Sequence, residues 1–297
     1  MAVAKRNVIV IKAKEGIDKM KFRSANINEA GKIYARFMIM PGFWALTNRW
    51  QNFQYLLIGE NSAMLIDSGY GEGNIREAVE EITGKPVIVV NTHGHYDHTG
   101  GNGWWQEARM AHEGAEIARN AFSPVHEQWR KAQPHRDYRI NSIKDGDIFD
   151  LGGREIEVIA IPAHHESSLA FLDKKARVLF SGDELEGGQV ILFARSRNIL
   201  REELLTAHKN NMQKLKSRRN EFDFICPSHN SIMLYPDKYL DDFIQLADGI
   251  LNGKIPPMPD SAGFGFSPDP AGFNMAFKDL APFERYEFGE ASFVFQK

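Results

Sequence analysis

Short runs of apolar, often β-branched residues recur along this chain, and several end at a residue able to bind a cation. Phe53-Gln54-Tyr55-Leu56-Leu57-Ile58 and Ala63-Met64-Leu65-Ile66 flank Gly59-Glu60-Asn61-Ser62, a pattern that predicts a β-hairpin. Residues 86–91, 156–162, 177–182 and 222–227 are further runs of strand length and composition. Helical periodicity predicts a helix over residues 74–82 and amphipathic helices over 200–215 and 237–251. Residues 104–108 and 113–121 read as helical pieces. Residues 123–139 are polar and rich in His, Arg and Gln, so they read as an inserted loop or short helix. Residues 1–50 mix short apolar runs with Gly42-Phe43-Trp44 and read as early strands and loops.

Strand ends are where the chemistry gathers. The run 86–91 leads into Thr92-His93-Gly94-His95-Tyr96-Asp97-His98-Thr99-Gly100-Gly101, which packs three imidazoles and a carboxylate between His93 and His98. His93 and His95 are two apart and point the same way if strand geometry persists. Asp67, the pair His164-His165, Asp183 and His229 stand just past the ends of four other runs. In layered α/β folds that edge is where ligands collect. Imidazole and carboxylate are ordinary zinc ligands, and a catalytic zinc keeps one position open for water. The set is large enough for two metals. His112, His126, His135 and His208 read as structural or surface histidines.

At these residues the chain resembles the metallo-β-lactamase superfamily. The signature His-x-His-x-Asp-His block is matched by His93, His95, Asp97 and His98. Ile66-Asp67-Ser68-Gly69 matches the early aspartate motif, Phe180-Ser181-Gly182-Asp183 the bridging-aspartate motif, and Pro227-Ser228-His229-Asn230 the last histidine motif. Pro162-Ala163-His164-His165-Glu166-Ser167-Ser168 resembles the Pro-Gly-His-Thr-x-Gly-Ser segment, with Ala163 in place of glycine. Register from Pro162 and Ser168 favours His164 over His165 as the ligand, which leaves His165 as a pocket contact. The resemblance implies a four-layer αββα sandwich, α/β in class. It implies one metal at His93, His95 and His164 and a second at Asp97, His98 and His229, with Asp183 bridging. Asp67 would support a ligand imidazole, fixing its tautomer.

Two such metals imply hydrolysis by a bridging hydroxide, since even one zinc lowers the pKa of bound water to about 7. Asp97 and Asp183 would hold the metals and accept or relay a proton. Zinc is the expected metal, with iron or manganese as alternatives. An aspartate at 183 makes the site look more like those of glyoxalase II, lactonases and phosphodiesterases than those of the cysteine-bearing β-lactamases. The expected reaction is cleavage of an ester, thioester or lactone of a small molecule. The alternatives are an iron-dependent oxidoreductase of the persulfide dioxygenase type, or β-lactamase or phosphodiesterase activity. Trp104, Trp105, His165 and Phe193 are candidate pocket walls, and Arg195 and Arg197 a candidate clamp for a substrate anion.

Composition removes other classes. The chain has 297 residues, a net charge of -3 and one cysteine, Cys226. No electrostatic field favours nucleic acid or an anionic membrane, and no internal disulfide is possible. No apolar run approaches the length of a membrane span, and the apolar residues near the start are too few for a signal sequence. The expectation is a cytoplasmic enzyme whose partner is its small-molecule substrate, with a homodimer left open. Residues 1–254 read as the catalytic domain. Residues 255–297 change composition, with Phe264, Phe266, Phe273, Phe277 and Phe283 among glycines and prolines. They read as a tail that packs on the domain.

Overall fold

The computed structural model describes residues 33–50, 52–187, 189–194, 197–259 and 283–296. Seven strands form the first sheet, in sequence order: β1 (Ala35–Met40), β2 (Phe43–Thr47), β3 (Phe53–Ile58), β4 (Ala63–Ile66), β5 (Val87–Val90), β6 (Glu107–Met110) and β7 (Arg139–Ser142). Strands β1 to β4 pair antiparallel, whereas β4 to β7 pair parallel. Helix α1 (Ile75–Glu80) separates β4 from β5. Asn74 caps it by accepting the Glu77 N–H, which satisfies one of the donors a helix start leaves open.

Between β5 and β7 lie α2 (Tyr96–Thr99), α3 (Ala115–Arg119) and α4 (Pro124–Lys131). The second sheet has the order β13-β11-β10-β9-β8, from β8 (Ile148–Asp150), β9 (Glu155–Ala160), β10 (Leu169–Asp173), β11 (Val178–Gly182) and β13 (Phe224–Pro227). Helices α5 (Arg201–Ser217) and α6 (Pro236–Leu251) follow β11 and β13. A third, small sheet sets β15 (Ala291–Gln296) between β12 (Val190–Leu192) and β14 (Phe283–Phe288).

Strand alternation sorts the side chains into layers. In β3 and β4, Phe53, Tyr55, Leu57, Met64 and Ile66 face the second sheet, where they meet Val158, Leu169, Phe171, Val178 and Phe180. The intervening Leu56, Ala63 and Leu65 pack under Ile75 and Val79 of α1. On the second sheet Ala170, Leu172 and Leu179 face outward onto Leu204, Met212 and Leu215 of α5 and Phe243 of α6. The result is helix, sheet, sheet, helix, as the sequence motifs imply. Phe43 and Phe180 meet edge to face at 5.3 Å in the inner layer, and each such ring contributes about 1.5–3 kcal/mol on full burial.

Several elements depart from the sequence expectations. Residues 104–108 form no α-helix: a 3-10 turn over Asn102–Trp104 leads into β6. Glu107 to Met110 alternate half-buried and buried, and β6 joins the sheet parallel to β5 and β7. Residues 123–139 contain α4, started by Ser123 accepting the His126 N–H and by Pro124 in the first turn. Part of the tail is sheet: β15 runs parallel to β12 and buries Phe293, Val294 and Phe295. Phe264, Phe266, Phe273 and Phe277 lie outside the described residues.

Candidate metal centre

The metal-competent residues converge where the C-terminal ends of β4, β5, β9, β11 and β13 meet. Two backbone bonds join the sheets there: Leu169 N–H to the Thr92 carbonyl, and Phe53 N–H to the Ser228 carbonyl, both 2.8 Å. Past β5 the chain turns into α2, so His93 precedes the helix, His95 stands at its N-cap position without a side-chain cap bond, and Asp97 and His98 lie in its single turn. Gly182 has φ +57, and a Cβ there would lie 2.7 Å from Thr92 Cβ. Only glycine lets the chain leave β11 this close to the first motif and deliver Asp183.

Two ligand sets result. His93 Nε2 and His164 Nε2 lie 2.9 and 3.1 Å from His95 Nδ1. Three nitrogens on a tetrahedral zinc would be about 3.3 Å apart, so the spacing suits one ion. In the second set His229 Nε2 is 3.1 Å from Asp97 Oδ2, and His98 Nε2 is 3.4 Å from Asp97 Oδ2 and 3.3 Å from Asp183 Oδ2. Asp183 stands between the sets, with Oδ2 3.6 Å from His164 Nε2 and Oδ1 3.6 Å from His229 Nε2. His98 Nε2 and Asp183 Oδ1 are buried without a hydrogen-bond partner among the described residues. Such atoms are costly to leave bare, and a cation relieves both.

The supporting bonds aim the lone pairs. His164 Nδ1 lies 2.7 Å from the Ile191 carbonyl, to which it must donate, leaving Nε2 as acceptor. His98 Nδ1 sits 2.8 Å from Asp67 Oδ2. Asp67 also takes the Thr92 N–H at 2.8 Å and the Ser228 hydroxyl at 3.1 Å, from a backbone φ of 62°. Aspartate tolerates that left-handed conformation better than most residues.

Electrostatics separates the two sets. Burial, reinforced by neighbouring imidazoles, holds His93 and His95 well below the usual histidine range, and burial likewise lowers His164. These three are neutral donors. Burial opposes charge on His98 and His229 as well. There the carboxylates win: Asp183, Asp97 and Asp67 hold His98 well above its ordinary value, and Asp183 and Asp97 push His229 up to about 9. The same pairing outweighs burial in Asp97 and Asp183 and keeps both carboxyls ionised. This is an acidic, oxygen-bearing set beside an all-nitrogen one.

The family model for the metallo-beta-lactamase superfamily matches residues 47–239. The chain belongs to that superfamily. Human acyl-coenzyme A thioesterase MBLAC2 is 31% identical over 183 residues, 52% of this chain and 65% of that protein. A hydroxyacylglutathione hydrolase of Francisella philomiragia is 30% identical over 142 residues, 48% of this chain and 50% of that protein. The chain thus spans less than two thirds of the length of these relatives. Among solved structures, a metallo-beta-lactamase from Pontibacter korlensis superposes with a TM-score of 0.55 at 18% identity, covering 72% of this chain and 99% of its own. Rubredoxin oxygen:oxidoreductase from Desulfovibrio gigas does so at 0.51 and 18%, covering 72% and 62%. At such identities these likenesses establish the superfamily fold and no more.

The proposed pocket residues of this superfamily member fare unevenly. Phe193 is at the site, its ring 5.5 Å from His95 and 5.3 Å from His164. His165 is there too, 4.8 Å from the His95 ring, with Nδ1 held by Ser167. Trp104 and Trp105 are not: both pack with α1 on the outer face of the first sheet, and Trp104 Nε1 donates to the Gly73 carbonyl. Their bulk is used in anchoring the turn. Arg197 is committed within the protein, donating to the Ala163 carbonyl at 2.8 Å and pairing with Glu166 at 2.8 Å. That engagement displaces its expected role as a substrate clamp. Arg195 lies outside the described residues. Cys226 is buried, and burial pushes its thiol up, so it packs without reacting.

Sequence reasoning missed two buried carboxyls next to the shared aspartate. Glu184 and Glu186 follow Asp183, and burial raises both, Glu184 to about 8. Glu186 accepts the Asn230 side-chain N–H at 2.9 Å beside His229. Tyr96, inside the first motif, stacks on Phe122 at 4.1 Å and meets Tyr70 at 5.6 Å.

Proposed function

We propose that this chain is a dinuclear metal-dependent hydrolase, with zinc as its metal, that cleaves the thioester of a small acyl carrier in the cytoplasm. The observation that carries this reading is Asp183, placed between three neutral imidazoles and the Asp97/His98/His229 set. His93, His95 and His164 would hold one ion, and Asp97, His98 and His229 the other, with Asp183 shared. Two divalent ions there would supply Lewis acidity and lower the pKa of a coordinated water toward neutrality. The chain's own residues do the rest. Asp67 and the Ile191 carbonyl fix which imidazole nitrogens point inward. Phe193 supplies apolar surface beside His95 and His164, suited to the acyl part. Asp97 and Asp183, ionised, can take a proton from an attacking water.

Thioester is preferred over ester or lactone because the thioesterase and hydroxyacylglutathione hydrolase relatives share the motif-bearing segment. The deciding experiment is metal analysis of protein purified without chelator, then a panel of acyl-CoA, acyl-glutathione, ester, lactone, phosphodiester and β-lactam substrates, with and without oxygen. Two metals per chain and oxygen-independent release of free thiol are expected. A requirement for oxygen and iron, or a best substrate that is a phosphodiester or β-lactam, would overturn the thioester reading.

A further inference from the structure

The loop between β9 and β10 that carries His164 is held from two sides. Glu184 Oε1 accepts the backbone N–H groups of Ala163 at 2.8 Å and His164 at 2.7 Å. Arg197 Nη1 donates to the carbonyls of the same two residues, at 2.8 and 3.2 Å. The polar backbone groups of residues 163 and 164 are therefore all fixed by side chains from the segment joining β11 to α5. That segment also holds the His164 ring, through the Ile191 carbonyl.

Glu184 is the buried partner of the two, with no exposed surface. Burying a carboxyl group is costly unless its hydrogen bonds are made; here Oε1 makes both of its bonds to the ligand loop, and Oε2 has no partner among the described residues. Its own carbonyl accepts from His208 Nε2 of α5 at 2.7 Å, which anchors the residue at the backbone as well. It also directly follows Asp183, so one short stretch sets both the shared carboxylate and the third histidine. Ala163 replaces the glycine expected in this motif, and the loop conformation is held by side-chain bonds.

We propose that Glu184 is a positioning residue: its acceptor oxygen sets His164 against His93 and His95 and so governs how tightly that three-histidine set holds a metal. The proposal rests on the ligand assignment made under the proposed function and is independent of the substrate. Glu184→Gln keeps an acceptor oxygen at the same reach, Glu184→Asp withdraws it by one carbon, and Glu184→Ala removes it.

The full chain and these variants are stripped of metal and reloaded with zinc or cobalt. Affinity is read by competition with a chromophoric chelator and geometry by the cobalt absorption spectrum. Wild type should hold two ions, and Glu184→Gln should match it. Glu184→Asp and Glu184→Ala should weaken one site by roughly 10- to 100-fold, the usual effect of losing an outer hydrogen-bond partner, with the second site unchanged. Fewer than two ions on wild type overturns the dinuclear reading. Two ions on wild type with Glu184→Asp unchanged overturns this proposal alone. So does a Glu184→Gln that weakens as far as Glu184→Asp, or a loss shared equally by both sites. If Glu184→Ala does not fold, the Asp and Gln variants decide. If Glu184→Asp also fails to fold while Glu184→Gln folds, Glu184 is a folding residue and the proposal falls.

Discussion

At the residue scale, Asp67 does more than its distance from the ligand sets suggests. Its carboxylate takes Thr92, Ser228 and His98 at once. Asp67→Ala should cost about 3 kcal/mol, because it leaves buried donors without an acceptor. It should also weaken the Asp97/His98/His229 set about tenfold or more. Urea unfolding and metal titration measure the two effects, and a variant unchanged in both would remove Asp67 from the site. Phe193 makes a contrasting case. Phe193→Ala should raise KM for an apolar acyl thioester roughly tenfold, the scale of a lost apolar contact in a pocket, with both metals retained. An unchanged KM would place the acyl group elsewhere. The candidate ligands were legible because each sits in a local motif at a strand's end. Glu184 was not, since the amides it serves lie 21 and 20 positions earlier and meet it only in the folded chain. Arg197 misled for the same reason. A guanidinium near the site reads as free until the loop carbonyls it binds are in view.

At the element scale, the strands were easier to read than the connections. β3, β4, β9 and β11 fall on apolar runs of the sequence, and in the structure their side chains divide between two cores; β10 was not read. Residues 104–108 failed because Trp104 and Trp105 lend apolar weight to a turn, while β6 gains its identity only from parallel neighbours. α5 carries a pH-sensitive group. His208 is buried against Phe243 and Phe293, and burial lowers it from 6.5 to about 4. The folded state then binds fewer protons than the unfolded one, so stability is lost as pH falls from 6.5 toward 4. The loss attributable to this group is about 3 kcal/mol. His126, lowered to about 4 by burial and then Arg130, acts in the same direction. His208→Leu should make stability less steep in that window, by up to one proton in the slope. Denaturant titrations at pH 7 and 5 test this, and an unaltered slope would contradict it.

At the scale of the whole molecule, the β14–β15 hairpin is structural. Phe293, Val294 and Phe295 are completely buried beside α5, α6 and β12. Their burial contributes on the order of 5–9 kcal/mol, comparable to the entire stability of a typical domain. A chain ending before Phe283 should not fold cooperatively. A truncated protein with the full-length melting temperature would show the hairpin to be an accessory.

Each ligand set draws on both sheets. His93 and His95 come from the first and His164 from the second, while Asp97 and His98 face Asp183 and His229 across the same seam. A chain with one cysteine has no covalent means of tying such distant segments together. On the proposed assignment the ions would act as reversible cross-links. A closed loop of roughly 100 residues restrains an unfolded chain by nearly 5 kcal/mol in the loop-entropy view. Metal loss would then do more than silence the chemistry: it would loosen the seam at its ligand end and leave the inner apolar layer and two backbone bonds to hold the sheets together.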